Sequence, residues 1–158
     1  MDTQPLETSC GNAARIAVII LNWNGSRLLR EYLPKVVATT DTAISKVIVA
    51  DNGSTDDSLE YIKKEFGDSV GLMSFPENYG FAEGYNRAIA LAEGYEYVVL
   101  LNSDVATSEG WDTALLEYMD AHPRCGACQP KIKSYLKPEM FEYAGACGGF
   151  IDRNGYPY

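Results

Sequence analysis

The chain has 158 residues, 46% hydrophobic and 22% charged, the proportions of a globular protein long enough to bury a proper core. Its 22 acidic against 13 basic side chains leave a formal net charge of -9, which repels a phosphate backbone or an anionic surface and argues against nucleic acid as a partner. The longest apolar run, residues 16–21, is too short to span a membrane, residues 1–15 lack a signal core, and four cysteines are too few for a secreted disulfide framework; the expected location is cytoplasmic.

In chain order, residues 1–14 are polar and loop-like and read as a flexible segment ahead of one domain over 15–158. Residues 16–21 form an unbroken apolar run, the pattern of a strand buried on both faces. Ser26 is the expected cap of a helix through Leu28, Leu29, Tyr32, Leu33, Val36 and Val37, with Pro34 as a possible kink. A second strand is expected over 46–50, then a helix over 58–66 with Leu59, Ile62 and Phe66 on one face, Asp56 and Asp57 in its first turn and Gly67 at its end. A short strand near 70–75 leads through Pro76 to Gly80 into a helix over 81–92 that stops at Gly94. A strand over 95–101 and a helix over 111–120, closed by Pro123, complete the periodic part. Alternation of this kind predicts a doubly wound α/β fold, a mainly parallel sheet with helices on both faces, because parallel strands need crossover connections.

Two acidic turns stand directly after strands: Asp51-Asn52-Gly53-Ser54-Thr55-Asp56 and Asn102-Ser103-Asp104. In an open parallel sheet the carboxyl ends of the strands face the ligand crevice. Either turn also has a plain structural reading, Asn-Gly as a left-handed turn and Ser54 or Asp104 as a helix cap. Asp51, however, is needed for neither turn nor cap, and a strand-end carboxylate there is suited to accept the N3–H of a uracil or thymine ring. Asp104 stands five residues before the next helical pattern, and its carboxylate suits Mg²⁺ or Mn²⁺, hard cations that take further oxygens from a diphosphate. An acidic chain that binds a nucleoside diphosphate needs such a bridge. Between the two turns, Gly80, Gly84 and Asn86 fall in the first two turns of a helix, where small residues let a ligand approach the free N–H groups.

Four ordered segments together resemble the donor-binding portion of family 2 glycosyltransferases, inverting enzymes of the GT-A fold: Ile19-Ile20-Leu21-Asn22-Trp23-Asn24-Gly25, Val49-Ala50-Asp51-Asn52-Gly53-Ser54-Thr55-Asp56, Asn78-Tyr79-Gly80-Phe81-Ala82-Glu83-Gly84-Tyr85-Asn86 and Leu101-Asn102-Ser103-Asp104. Gln129-Pro130-Lys131-Ile132 and residues 144–149 are similar to stretches of the rhamnosyltransferase-like branch. The resemblance implies transfer of a sugar from a UDP- or dTDP-linked donor to a hydroxyl of a glycan or lipid-linked acceptor, in polysaccharide or cell-envelope glycan assembly. It places Asn22 and Trp23 beside the base, Asp51 on uracil or thymine, Ser54 and Ser103 at the nucleotide, Gly80 and Asn86 along the sugar-nucleotide path, and Asp104 on the divalent cation, Mg²⁺ or Mn²⁺. It also implies a general base beyond Tyr158, so that the chain is a donor-binding portion incomplete on its acceptor side, peripheral to the inner membrane face in the complete protein.

The chain departs from the family in carrying Asn102-Ser103-Asp104 where Asp-x-Asp is usual, and Asn102 is therefore not assigned as a ligand. Two other readings fit parts of the pattern. A sugar-1-phosphate nucleotidyltransferase shares the sheet and the cation but usually opens with a basic glycine-rich loop, where this chain has Asn22-Trp23-Asn24-Gly25-Ser26-Arg27. A non-catalytic sugar-nucleotide-binding module would keep the strand-end residues and lack only the base. Cys125 and Cys128 have zinc-like spacing, with His122 and Cys147 as possible completing ligands, but buried free thiols in a core strand are the commoner meaning.

Overall fold

The computed structural model describes residues 14–142 and 153. Cys10, Cys147 and the 144–149 segment lie outside the described residues. Two compact units follow each other along the chain, residues up to Thr113 and residues from Ala114 onward.

The first unit contains β1 (Ile16–Asn22), α1 (Ser26–Thr39), β2 (Ser45–Asp51), α2 (Ser58–Phe66), a short 3-10 turn (Gly67–Ser69), β3 (Gly71–Ser74), α3 (Gly80–Leu91), β4 (Tyr97–Leu101) and the start of α4 (Trp111–Ala121). The strands form a parallel sheet in the order β3-β2-β1-β4, with Ile19 opposite Ile48 on one side and Leu100 on the other. The chain moves outward from β1 to β3 and then returns past β1 to β4. Right-handed crossovers therefore put α1 and α2 on one face and α3 on the other, which is the doubly wound arrangement.

Side chains alternate across the sheet with period two. Ala17, Ile19, Ile48, Ala50 and Met73 pack with Tyr85 and Ala88 of α3 and with Ala92, which caps it, in one buried cluster. Val18, Ile20, Val47 and Val49, equally buried, point to the opposite face. Burying each such aliphatic side chain contributes roughly 1.5–3 kcal/mol. Both faces of β1 and β2 are apolar, so neither strand shows alternation in its sequence.

Several element boundaries differ from the sequence expectation for reasons visible in the loops. Ser26 does not cap α1; Gly25 holds the cap position without a side-chain bond, and the Ser26 N–H donates to Asp56 Oδ2 at 3.0 Å. Asp56 lies ahead of α2 rather than in its first turn, and its Oδ1 accepts from the Ser58 N–H at 3.1 Å and from the Ser58 hydroxyl. One carboxylate thus satisfies the starts of two helices. Pro34 is accommodated on the exposed side of α1, which continues to Thr39. α3 begins at Gly80 and ends at Leu91, ahead of Gly94, whose φ of 96° belongs to the following turn. β4 reads in sequence like a fully buried strand, yet it is the edge among the described residues, and Leu100 is 52% exposed.

In the second unit, an antiparallel bridge joins Lys133 to Phe141, flanked by bonds from the Ser134 N–H to the Met140 carbonyl and from the Glu142 N–H to the Ile132 carbonyl. Cys125 is half-buried and Cys128 exposed, and neither lies in a strand, so the buried-strand meaning expected for them is corrected. Among the described residues no group of three or more His, Cys, Asp and Glu is placed to hold a metal ion. No helix among them is long and apolar enough to cross a membrane.

Candidate donor site at the strand ends

Where the winding reverses between β1 and β4, the carboxyl ends of the strands open into a cavity of about 410 Å³. Leu21 and Trp23 reach it from β1, Asn52 from the turn after β2, and Asn78, Gly80, Phe81 and Tyr85 from the start of α3. Asn102, Ser103 and Asp104 close it from the end of β4. Trp23, 58% exposed, and Phe81, 68% exposed, present their rings at this cavity. Among the described residues no Lys or Arg lines the cavity.

On the β2 side, two of the residues expected at the nucleotide lie outside the cavity lining. Asn22 and Asp51 are paired across β1 and β2, and both are only 1% exposed. Asp51 Oδ1 accepts from Asn22 Nδ2 at 2.8 Å and Oδ2 from the Ser54 N–H at 3.0 Å. This carboxylate is thus held by two protein donors and lies outside the cavity lining. Strand alternation is the reason: Asp51 continues the face of Val47 and Val49, away from α3, while the next residue turns toward the cavity. That residue, Asn52, donates through Nδ2 to Asn78 Oδ1 (2.8 Å) and the Gly80 carbonyl (3.0 Å), and accepts from the Tyr79 N–H at 3.1 Å. Its amide ties the end of β2 to the start of α3. Gly53, at φ 75°, allows the turn to press against the Glu77 backbone, which an added Cβ would meet at 2.5 Å. Ser54 also stands behind the cavity wall, accepting from Asn22 Nδ2 at 3.1 Å.

On the α3 side, Gly80 lines the cavity as expected, but Asn86 does not. Gly84, Tyr85 and Ala88 are the buried residues of that helix, and Asn86 lies on its exposed surface. Tyr85 carries a function that its place in the Asn78–Asn86 motif did not reveal. Its hydroxyl donates to the Leu101 carbonyl at 3.1 Å, fixing the point from which Asn102-Ser103-Asp104 departs. Burial pushes the phenol above its ordinary pKa, so it remains a donor. Phe81, one helical turn earlier, stands edge-on to the Tyr85 ring at 5.0 Å.

Asp104 is exposed at the cavity, and its carboxylate has no hydrogen-bond partner among the described residues. With the Ser103 hydroxyl and the Asn102 amide beside it, the oxygen donors of this corner have the hardness that Mg²⁺ or Mn²⁺ prefers, and one open carboxylate suits an ion whose other oxygens come with a diphosphate. The residues present fit such an ion.

Asn52, Asn78, Phe81 and Tyr85 were not assigned roles from sequence. Asn52 was hidden because the apolar strand before it gives no sign of which face leads to the cavity. His122, in the second unit, is exposed, with Nδ1 at 2.8 Å from the Tyr118 carbonyl.

The family model for glycosyl transferase family 2 matches residues 17–144. Among curated relatives, an N-acetylglucosaminyl-diphospho-decaprenol L-rhamnosyltransferase of Mycobacterium tuberculosis is 28% identical over 128 residues, covering 75% of this chain and 41% of its own length. A chondroitin synthase of Pasteurella multocida is 43% identical over 61 residues, 37% of this chain and 6% of its own. Among solved structures, TarS 1-349 of S. aureus in complex with UDP-GlcNAc superposes with a TM-score of 0.61 at 21% identity, covering 76% of this chain and 38% of that one. The mannosyltransferase PcManGT of Pyrobaculum calidifontis, in complex with GDP-Man and Mn²⁺, superposes at 0.60 and 22% identity, covering 83% and 36%. At such identities the superpositions establish the fold, and the chain spans about two fifths of the length of the rhamnosyltransferase relative. By the extent of the family match, the chain belongs to glycosyl transferase family 2.

Proposed function

We propose that this chain forms the donor-binding part of a metal-dependent transferase that moves a sugar from a UDP- or dTDP-linked donor to an acceptor hydroxyl in cell-envelope or polysaccharide assembly. The observation that carries the reading is the cavity at the winding reversal, which among the described residues joins an exposed indole, an unpartnered carboxylate and no basic side chain. Trp23 offers a face on which a base stacks. The start of α3 at Gly80 would turn the positive end of the helix dipole toward the diphosphate. Ser103 and Asp104 stand where the phosphates would lie, and Asp104 is the residue that would hold the divalent cation. When bound, Mg²⁺ or Mn²⁺ supplies charge neutralisation for the departing nucleoside diphosphate, the part that a general acid plays in other transferases.

Asp51, Asn22 and Ser54 serve this site from behind, by shaping the turn rather than by touching the donor. Deprotonation of the acceptor is assigned to no cavity residue, since the single carboxylate there, Asp104, is committed to the ion. The Mycobacterium relative is named for a diphospho-decaprenol-linked sugar, which supports a lipid-linked acceptor.

Calorimetric titration with UDP, dTDP and GDP, each with Mn²⁺ or with EDTA, tests the reading. Binding of a pyrimidine diphosphate that needs Mn²⁺, and that weakens at least tenfold in Asp104→Ala, is the expected result. Equal affinity in wild type and Asp104→Ala would remove the metal role, and no binding of any nucleotide would remove the donor site.

A further inference from the structure

We infer that Asn24 is a positioning residue that sets the pose of Trp23, and with it the affinity of the cavity for its nucleotide. The inference rests on the reading of Trp23 as the base platform. An indole 58% exposed is held little by packing, so its direction depends on the backbone that carries it. That backbone is clamped on both sides to one atom. Ser54 Oγ accepts from Asn22 Nδ2 at 3.1 Å and from the Asn24 N–H at 2.8 Å, so the residues before and after Trp23 share a single anchor. The anchor is itself fixed, because the Ser54 N–H is held by Asp51.

Asn24 has a φ of 50°, the only non-glycine residue with positive φ among the described residues. Such a conformation is disfavoured for L side chains and tolerated best by asparagine and aspartate, and it persists where surrounding bonds over-determine it. Here its Oδ1 accepts from the Thr55 N–H at 2.8 Å and the Asp56 N–H at 3.3 Å, with the Thr55 hydroxyl at 3.4 Å. The side chain thus crosses to the second loop and holds the left-handed turn that aims residue 23. Gly25 completes the arrangement: a Cβ there would stand 2.4 Å from Asn22 Oδ1, displacing the amide that grips Asp51 and Ser54. Each residue of the Asn22-Trp23-Asn24-Gly25 motif then has a physical task, and only Trp23 faces the ligand.

The test uses Trp111→Phe as background, which leaves Trp23 as the only one of the chain's two tryptophans. Asn24→Gly keeps the backbone conformation and loses the acceptor; Asn24→Asp keeps both. Time-resolved fluorescence anisotropy of Trp23 and calorimetric Kd for UDP with Mn²⁺ are measured on each. Asn24→Gly is expected to give the indole a larger amplitude of nanosecond motion and to raise Kd at least fivefold, with Asn24→Asp close to the parent in both. Ser54→Ala, which removes the shared anchor, is expected to loosen the indole likewise and serves if Asn24→Gly fails to fold. Unchanged anisotropy and Kd in Asn24→Gly, or no rescue by Asn24→Asp, overturns the inference. Trp23→Ala separates this from the underlying reading: if it leaves Kd unchanged the base platform is lost, while the anisotropy result still decides whether Asn24 holds the loop.

Discussion

The two walls of the cavity are built in opposite ways. On the β1–β2 side, residues 22–26 and 51–58 are stitched together by side chains: Asn22 to Asp51 and Ser54, Asn24 to Thr55 and Asp56, Ser26 to Asp56. On the β4 side, residues 102–110 have little of this, a 3.3 Å bond from the Val105 N–H to the Asn102 carbonyl and a hydroxyl pair between Thr107 and Thr39 at 2.6 Å. The stitched wall has its geometry before any ligand arrives, and the open wall leaves its carboxylate for one. Affinity gains most where ordering has already been done, so the stitched wall is expected to select the ligand and the open wall to respond to it.

Asp51→Ala should break this contrast most strongly. It removes one of the two acceptors of the buried Asn22 Nδ2, which keeps Ser54 Oγ, and the acceptor of the part-buried Ser54 N–H, at about 2–4 kcal/mol together, whereas Asp104→Ala should change stability by less than about 0.5 kcal/mol. Urea denaturation of the two variants compares them directly, and similar losses would mean that the walls do not differ as described. Gly84→Ala comes next. A Cβ there would lie 3.0 Å from both Leu21 methyls and 3.1 Å from Asn52 Nδ2, pushing α3 off the sheet at a cost of about 1–3 kcal/mol. Thermal melts with and without UDP and Mn²⁺ should show loss of stability and of ligand-induced stabilisation together.

The smallest effect is one of pH. Burial pushes the Asp56 carboxyl up, but hydrogen bonds from the Ser58 hydroxyl and from the Ser26 and Ser58 N–H groups outweigh it and hold the group below its ordinary 3.8. A carboxyl depressed on folding adds stability above its unfolded pKa and loses it as pH falls through the folded value. Asp56→Asn should therefore melt earlier than wild type above about pH 4, with the difference vanishing in more acid solution. A difference that persists unchanged at low pH would show that the double cap does not depend on ionisation.

Much of the frame was legible in the chain. The period of 58–66 located α2 to the residue, and the order of elements led to the doubly wound sheet because crossover geometry leaves few alternatives. The cavity corner at Ser103 and Asp104 was also readable, since a carboxylate past a strand end needs a reason to be there. What sequence could not supply was the direction of Asp51. In a strand apolar on both faces, alternation has no contrast, so a polar residue at its end carries no sign of which side it takes. The network that buries it depends on loops 29 positions apart meeting, which local patterns do not encode.

Among the described residues the mouth of this cavity offers an approaching anion one carboxylate and no cation, on a chain of net charge -9. The charge of this chain would thus give no long-range attraction to the proposed nucleoside-diphosphate donor, which would approach against a field. Added electrolyte shortens the reach of that field, to about 8 Å at physiological ionic strength, and so eases arrival, where a basic cleft would lose its steering.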